Sequence, residues 1–170
     1  MFVFLDFEAS SLEKKSYPIE VGWVLEDGQG DSLLIKPAPD WTDWDPGAEA
    51  IHGITRGELE DKGSPHTEVC ERLLRLWDGG NRVFASAPSW DGHWLSVLLR
   101  AAGQPRHLVR LEDTELAFAE AARERGLAGQ EAVAVIEAAR ERAAAEVVAH
   151  RAQADARREW SVWREVRGLA

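Results

Sequence analysis

Residues 1–8 read Met-Phe-Val-Phe-Leu-Asp-Phe-Glu, and six of the first seven are apolar. Such a run is a buried strand, and the residue that interrupts it is Asp6, followed two places on by Glu8. Side chains alternate across a strand, so Asp6 and Glu8 point to one side, next to each other. Two neighbouring carboxylates at a buried position are costly unless protonation, a nearby cation or a bound metal offsets their charge. The plainer reading ends the strand at Phe7 and leaves Glu8 solvated. The strand alone does not separate the two.

The remaining composition narrows the classes. A chain of 170 residues is long enough to bury a core, and no repeat or linker divides it, so one domain over residues 1–170 is expected. No apolar run reaches the ~18–20 residues of a membrane span. The apolar Met1–Leu5 stretch has no basic leader and meets Asp6 at once, so it is not read as a signal peptide. A single cysteine, Cys70, excludes an internal disulfide framework, fits a reducing, cytoplasmic setting, and reads as a small core residue. The formal charge of −10 argues against broad capture of duplex nucleic acid, which needs a basic face. It does not exclude an enzyme that grips only a chain end through metal ions.

Along the chain, Ala9-Ser10-Ser11 reads as a turn, and Ile19, Val21, Trp23 and Leu25 alternate as a second strand. Asp27-Gly28-Gln29-Gly30 turns into a third strand over 32–36. The Pro- and Trp-rich stretch 37–46 is a loop, 47–51 a short helix, and His52-Gly53-Ile54-Thr55 a tight, exposed turn. Ser64 and Pro65 are expected as cap and first residue of a helix that Gly79-Gly80 ends. Residues 82–86 form a fourth strand, 91–103 a helix, and 107–111 a short fifth strand. Helices are expected from about 114 to 126, over 130–148 and over 152–166. Early strands followed by alternating strand and helix indicate an α/β fold, a mixed sheet with helices against it.

Three further residues carry potential chemistry. Asp91 follows a strand at a helix start, where an N-cap is the plain alternative. His150 and Asp155 lie on a charged, helical stretch, where a surface histidine and an ion-pair partner of the nearby arginines are the plain alternatives. Five residues apart on one ideal helix they would diverge by about 140°. Both can face one site only if the helix begins at or after His150, so a break is expected near Ala149-His150. Four carboxylates and a histidine, Asp6, Glu8, Asp91, Asp155 and His150, suit two hard divalent cations, Mg²⁺ or Mn²⁺, with a neutral imidazole to take a proton.

Asp-Phe-Glu at 6–8, Asp91, and His150-Arg-Ala-Gln-Ala-Asp155, in that order, resemble the three motifs of the DEDDh 3′–5′ exonucleases. These RNase H-like nucleases include polymerase proofreading subunits and oligoribonuclease. Ile51-His52-Gly53-Ile54-Thr55 also looks like a recurrent segment of that family, and the likeness covers about residues 2–167. The resemblance implies a central mixed five-stranded sheet flanked by helices. It implies that Asp6, Glu8 and Asp155 bind the first metal ion, that Asp6 bridges to the second with Asp91 in support, and that His150 is the general base. It implies release of nucleoside 5′-monophosphates from a 3′ end. The turn from Ala9 through Ser10 to Leu12 would receive the terminal nucleotide, with Leu12 near its base and His52 near the nucleotide or its phosphate. Trp90, one of eight tryptophans, stands where Phe is common and could stack a base. The sequence departs from the family where Ala9-Ser10-Ser11 replaces Thr-Thr-Gly or Thr-Gly, and where Ala87 replaces an Asn.

The expected function is thus a metal-dependent 3′–5′ exonuclease acting on the 3′ end of single-stranded or short nucleic acid. Two other readings use the same residues: a non-catalytic binding or regulatory module, and a trimming subunit of a polymerase or repair complex. Trp160 and Trp163 leave room for a homodimer surface.

Overall fold

The structure is a computed structural model that describes residues 1–145 and 150–169. Strand β1 (Phe2–Ala9) pairs antiparallel with β2 (Pro18–Leu25), which pairs antiparallel with β3 (Gly30–Lys36). Helices α1 (Pro46–His52) and α2 (Arg56–Lys62) lead to a two-residue strand β4 (Ser64–Pro65), then α3 (His66–Leu74) and a 3₁₀ segment (Arg75–Gly80). Strand β5 (Arg82–Ala85) runs parallel to β1, and α4 (Pro88–Ala101) follows it. Strand β6 (Glu112–Asp113), α5 (Thr114–Glu124), α6 (Gly129–Ala144) and α7 (Ala152–Val166) complete the chain. The sheet order is β4-β3-β2-β1-β5-β6. This is an α/β fold with a mixed sheet flanked by helices, as the sequence indicates.

The sheet has six strands rather than five. The strand expected over 107–111 does not form. Leu108 is exposed and its N–H turns back to the Pro105 carbonyl, so only Glu112 and Asp113 pair with Phe84 and Ala85. At the other edge, Ser64 and Pro65 pair with Ile35 and Lys36 instead of capping a helix. Gly63 allows this: a Cβ there would come 2.4 Å from the Leu59 carbonyl oxygen and 2.7 Å from Lys36 N. Helix α3 therefore starts at His66 without a side-chain cap. Helix α2 has a sequence signal after all, since Thr55 Oγ1 accepts from Glu58 N in a Thr-x-x-Glu cap.

Strand β1 divides the core by its alternation. Val3, Leu5, Phe7 and Ala9 face a large cluster with Tyr17, Ile19, Val21, the α3 residues Val69, Cys70 and Leu73, and the α4 residues Leu95, Leu98 and Leu99. Phe2 and Phe4 face a second cluster of Phe84, Phe118 and Trp163, with Trp163 5.6 Å from the Phe4 ring. Asp6 and Glu8 continue the Phe2 and Phe4 face, so the aromatic half of that side of the strand gives way to an acidic half. Trp163 is buried at 2 % exposure, and the half-buried Trp160 donates its indole N–H to the Glu26 carbonyl. The pair thus packs into the interior and against the Glu26 backbone. Among the described residues no helix is long and apolar enough to cross a membrane.

Candidate active site

The acidic half of β1 is roofed by the first turn of α7. Asp6 lies opposite Gly22 in the β1–β2 register, and Glu8 opposite Glu20. A Cβ on Gly22 would come 2.1 Å from Gln153 N, so the glycine lets the α7 backbone rest directly on β2. Ala152 and Ala156 are fully buried beneath the helix, small enough for that approach. Asp155 then descends beside the strand. Asp6, Glu8 and Asp155 each place a carboxylate oxygen within 4.8 Å of the others.

Asp91 joins from the opposite side. It sits in the first turn of α4, three residues past Pro88, at 2 % exposure, and so it is no N-cap. Its Oδ1 accepts from Phe7 N at 3.3 Å, which ties α4 to the middle of the acid pair. Its Oδ2 is buried with no hydrogen-bond partner.

The helix break expected near Ala149-His150 is present in the described residues. Helix α6 ends at Ala144, and Arg151 is extended (φ −142°, ψ 132°) before α7 begins. Ala149, and the end of the helix expected to reach Val148, lie outside the described residues. His150 is exposed and non-helical, and it lies near enough to Asp155 to bear on that carboxyl. The break is fixed from β2. Glu20, 1 % exposed, accepts from Arg151 Nε at 2.9 Å, Arg151 Nη2 at 2.6 Å and Ala152 N at 3.1 Å. A carboxylate from another element thus satisfies a free N–H at the α7 start, where the helix dipole favours negative charge. Sequence reasoning missed Glu20 and Arg151. The available signal was a carboxylate inside the apolar run Pro18-Ile19-Glu20-Val21, the same signal as Asp6.

These carboxylates repel one another in a half-buried setting. Burial, then the charges of Asp91, Asp155 and Glu8, hold Asp6 well above the usual carboxylate range. Burial, then Asp155 and Glu20, push Glu8 up to about 7 against the pull of Arg151. Burial pushes Asp91 up to about 7 despite the Phe7 N–H. Burial also raises Asp155, opposed by the Arg158 guanidinium paired with it. The donor set is all oxygen, closely spaced and under-compensated, and one buried oxygen is unpartnered. That fits a hard divalent cation at Asp6, Glu8 and Asp155, with Asp91 alongside.

The residues expected around the substrate separate into two groups. His52 is not on an exposed turn: it is 6 % exposed, and its Nδ1 accepts from Ile54 N at 3.0 Å. Its proton is therefore on Nε2, which is buried without a partner and lies in reach of the Glu20 and Arg151 charges. The Ser10 hydroxyl is also buried; it donates to Asp43 at 3.0 Å and accepts from Tyr17 N at 3.1 Å. It fastens the turn and is not free for a sugar hydroxyl. Ala9 is buried, whereas Leu12 is 69 % exposed and Trp90 41 % exposed, stacked on Trp94 at 5.8 Å.

This fold is shared with exonuclease I. The zinc-bound form of an E. coli exonuclease I–single-stranded DNA complex superposes with a TM-score of 0.71 at 18 % identity, covering 99 % of this chain and 40 % of that one. Exonuclease I from the moderately thermophilic Methylocaldum szegediense gives 0.71 at 21 % identity over 98 % and 40 %. E. coli exonuclease I in complex with a dT13 oligonucleotide gives 0.57 at 19 % over 71 % and 29 %. The chain thus spans about two fifths of the length of these neighbours or less. No family model and no curated protein sequence matches it.

Proposed function

We propose that the chain is a metal-dependent 3′–5′ exonuclease of the DEDDh type, one catalytic domain over residues 1–170, that releases nucleoside 5′-monophosphates from single-stranded or short nucleic acid. The observation that carries the reading is the convergence of Asp6, Glu8 and Asp155 within 4.8 Å, with Asp91 tied to the same strand. Three unrelated segments deliver these acids, and nothing in the packing of the core requires them there. The shared fold of exonuclease I, known in complex with single-stranded DNA, supports the same class of substrate.

Asp6, Glu8 and Asp155 would hold one Mg²⁺ or Mn²⁺, and Asp6 with Asp91 a second. Two such ions supply charge stabilisation to the attacking and leaving oxygens of a phosphodiester. The residues do the rest. His150, exposed beside Asp155, accepts a proton from the attacking water at an imidazole nitrogen. Glu20 holds Arg151 and the α7 start, and so anchors the chain immediately after this histidine. Leu12 and Trp90 flank the entrance, where a base can pack or stack.

The test is the purified protein with a 5′-labelled thymidylate oligomer in Mn²⁺, beside Asp155→Asn. Shortening from the 3′ end by the wild type and none by the variant is expected. Equal degradation by both, or none by either, contradicts the proposal. The second outcome, with Mn²⁺ still bound, favours the non-catalytic module.

A further inference from the structure

The outer face of α4 carries a second feature that the acid site does not use. Trp90, His93, Ser96 and Arg100 recur at helical spacing on that face, opposite the buried Asp91. Two cavities lie along it. One, of about 440 Å³, is lined by Lys14, Ser89, Trp90 and His93, and so abuts the turn after β1. The next, of about 390 Å³, is lined by His93, Ser96, Arg100, Arg106 and His107 among others. His93 borders both, and its Nε2 is buried without a partner. Ser96 Oγ donates to the Arg106 carbonyl at 3.0 Å, which fixes the loop after α4 so that Arg106 stands beside Arg100.

The charge here runs against the molecule as a whole. The chain has a net charge of −10, yet these cavities gather a lysine, two arginines and two histidines. Among the described residues Lys14, Arg100 and Arg106 form no ion pair, and Arg100 donates its Nε–H to the Ser96 carbonyl at 3.2 Å. Asp40 lines an adjoining cavity with Arg100, and the two are not paired. Cations left unneutralised in an acidic protein, in line with an exposed indole, have the chemistry of a nucleic-acid strand, with phosphates for the cations and a base for the ring.

We propose that this face of α4 is the path of a single strand upstream of the 3′ end. Trp90 stacks a base next to the acid site, and Arg100 and Arg106 hold phosphates farther back. The proposal rests on the nuclease reading only for direction. Ten residues of helix separate Trp90 from Arg100, about 15 Å. That is about four nucleotides at a stacked rise of about 3.4 Å. A trimer therefore reaches the indole but not the arginines, and a dodecamer reaches both.

Fluorescence anisotropy with labelled thymidylate trimer and dodecamer, from about 50 to about 200 mM NaCl, separates these cases. In R100E/R106E the dodecamer is expected to bind at least about tenfold more weakly at the low salt, with the slope of log Kd against log salt reduced by about 0.7 for each phosphate lost. Trimer binding is expected to change less than about twofold, because the trimer carries no phosphate to that end of the helix. The neutral pair R100Q/R106Q should show the same split, smaller, and guards against misfolding of the charge-reversed pair. An unchanged dodecamer, or equal loss for both lengths, overturns the path. Binding is read without turnover. Length-dependent loss in a protein that hydrolyses nothing keeps the path and removes the nuclease reading. Trimer hydrolysis with an unaffected dodecamer does the reverse. A wild type that binds double-stranded DNA more tightly than the dodecamer also overturns it, in favour of a duplex surface.

Discussion

In the proposed function His150 and the four acids have different roles, and single substitutions separate them. Replacing His150 by alanine removes a proton acceptor but no carboxylate. It is expected to lower kcat by about 10²–10⁴-fold while leaving Mn²⁺ affinity, read by calorimetric titration, close to wild type. The acids make a second prediction that needs no substrate. Glu8 and Asp91 have folded-state values of about 7, far above the ~4 of an unfolded carboxyl, and Asp6 and Asp155 are raised with them. Between those values the folded chain binds more protons than the unfolded one, so stability falls as pH rises. His52, pushed below 6.5 by burial, works the other way, as one group against four. The metal-free protein is therefore expected to melt higher at about pH 6 than at about pH 8, and Asp91→Asn to flatten that difference. Added Mn²⁺ should raise the melting temperature more at the higher pH, where the acids are already ionised. Differential scanning calorimetry reads both trends. A metal-free melting temperature that rises with pH would count against the arrangement.

At the scale of elements, the site depends on how α7 sits on β2. Gly22 and Glu20 form its seat, one by leaving room and one by capping the helix. Gly22→Ala drives a methyl into the Gln153 backbone, 2.1 Å away. Such overpacking costs about 1–3 kcal/mol in urea unfolding. Because the displaced turn carries Asp155, Mn²⁺ affinity should fall as well, whereas Gly57→Ala on exposed α2 should leave it unchanged. The same contact explains which parts of the fold could be read from sequence. Strand β1, with its apolar run, and the helical character of α7 are legible because their signals are local. The break before α7 followed only from a demand that His150 and Asp155 face one site. No Gly or Pro marks it, because its cap is a carboxylate 132 residues away. The short edge strands were hidden for a similar reason. Ser64–Pro65 and Glu112–Asp113 pair where neighbouring segments dock them, and two residues carry no period to detect. The burial of His52 depends likewise on its packing against Trp44, 6.2 Å away, which the spacing of the turn does not reveal.

Over the whole molecule, the sheet works as a charge-sorting plane. One side of β1 is apolar throughout; the other changes from aromatic to acidic along its length, and helices close both. The net charge of −10 then limits what can approach. On the proposed path a duplex, dense in phosphate, would meet an acidic surface, while a single strand would thread one narrow basic face and present its end to the acid cluster. The proposed function requires that this end be a free 3′ terminus and that its hydrolysis need a divalent cation. The most direct measurement follows oligonucleotides labelled internally and blocked at either the 3′ or the 5′ end, single-stranded and duplex, with Mn²⁺, Mg²⁺ or chelator. 5′-Monophosphates are expected from the 5′-blocked single strand, none from the 3′-blocked strand, slower release from duplex, and none in chelator. Release from the 3′-blocked strand, or turnover unaffected by chelator, would contradict the proposed function.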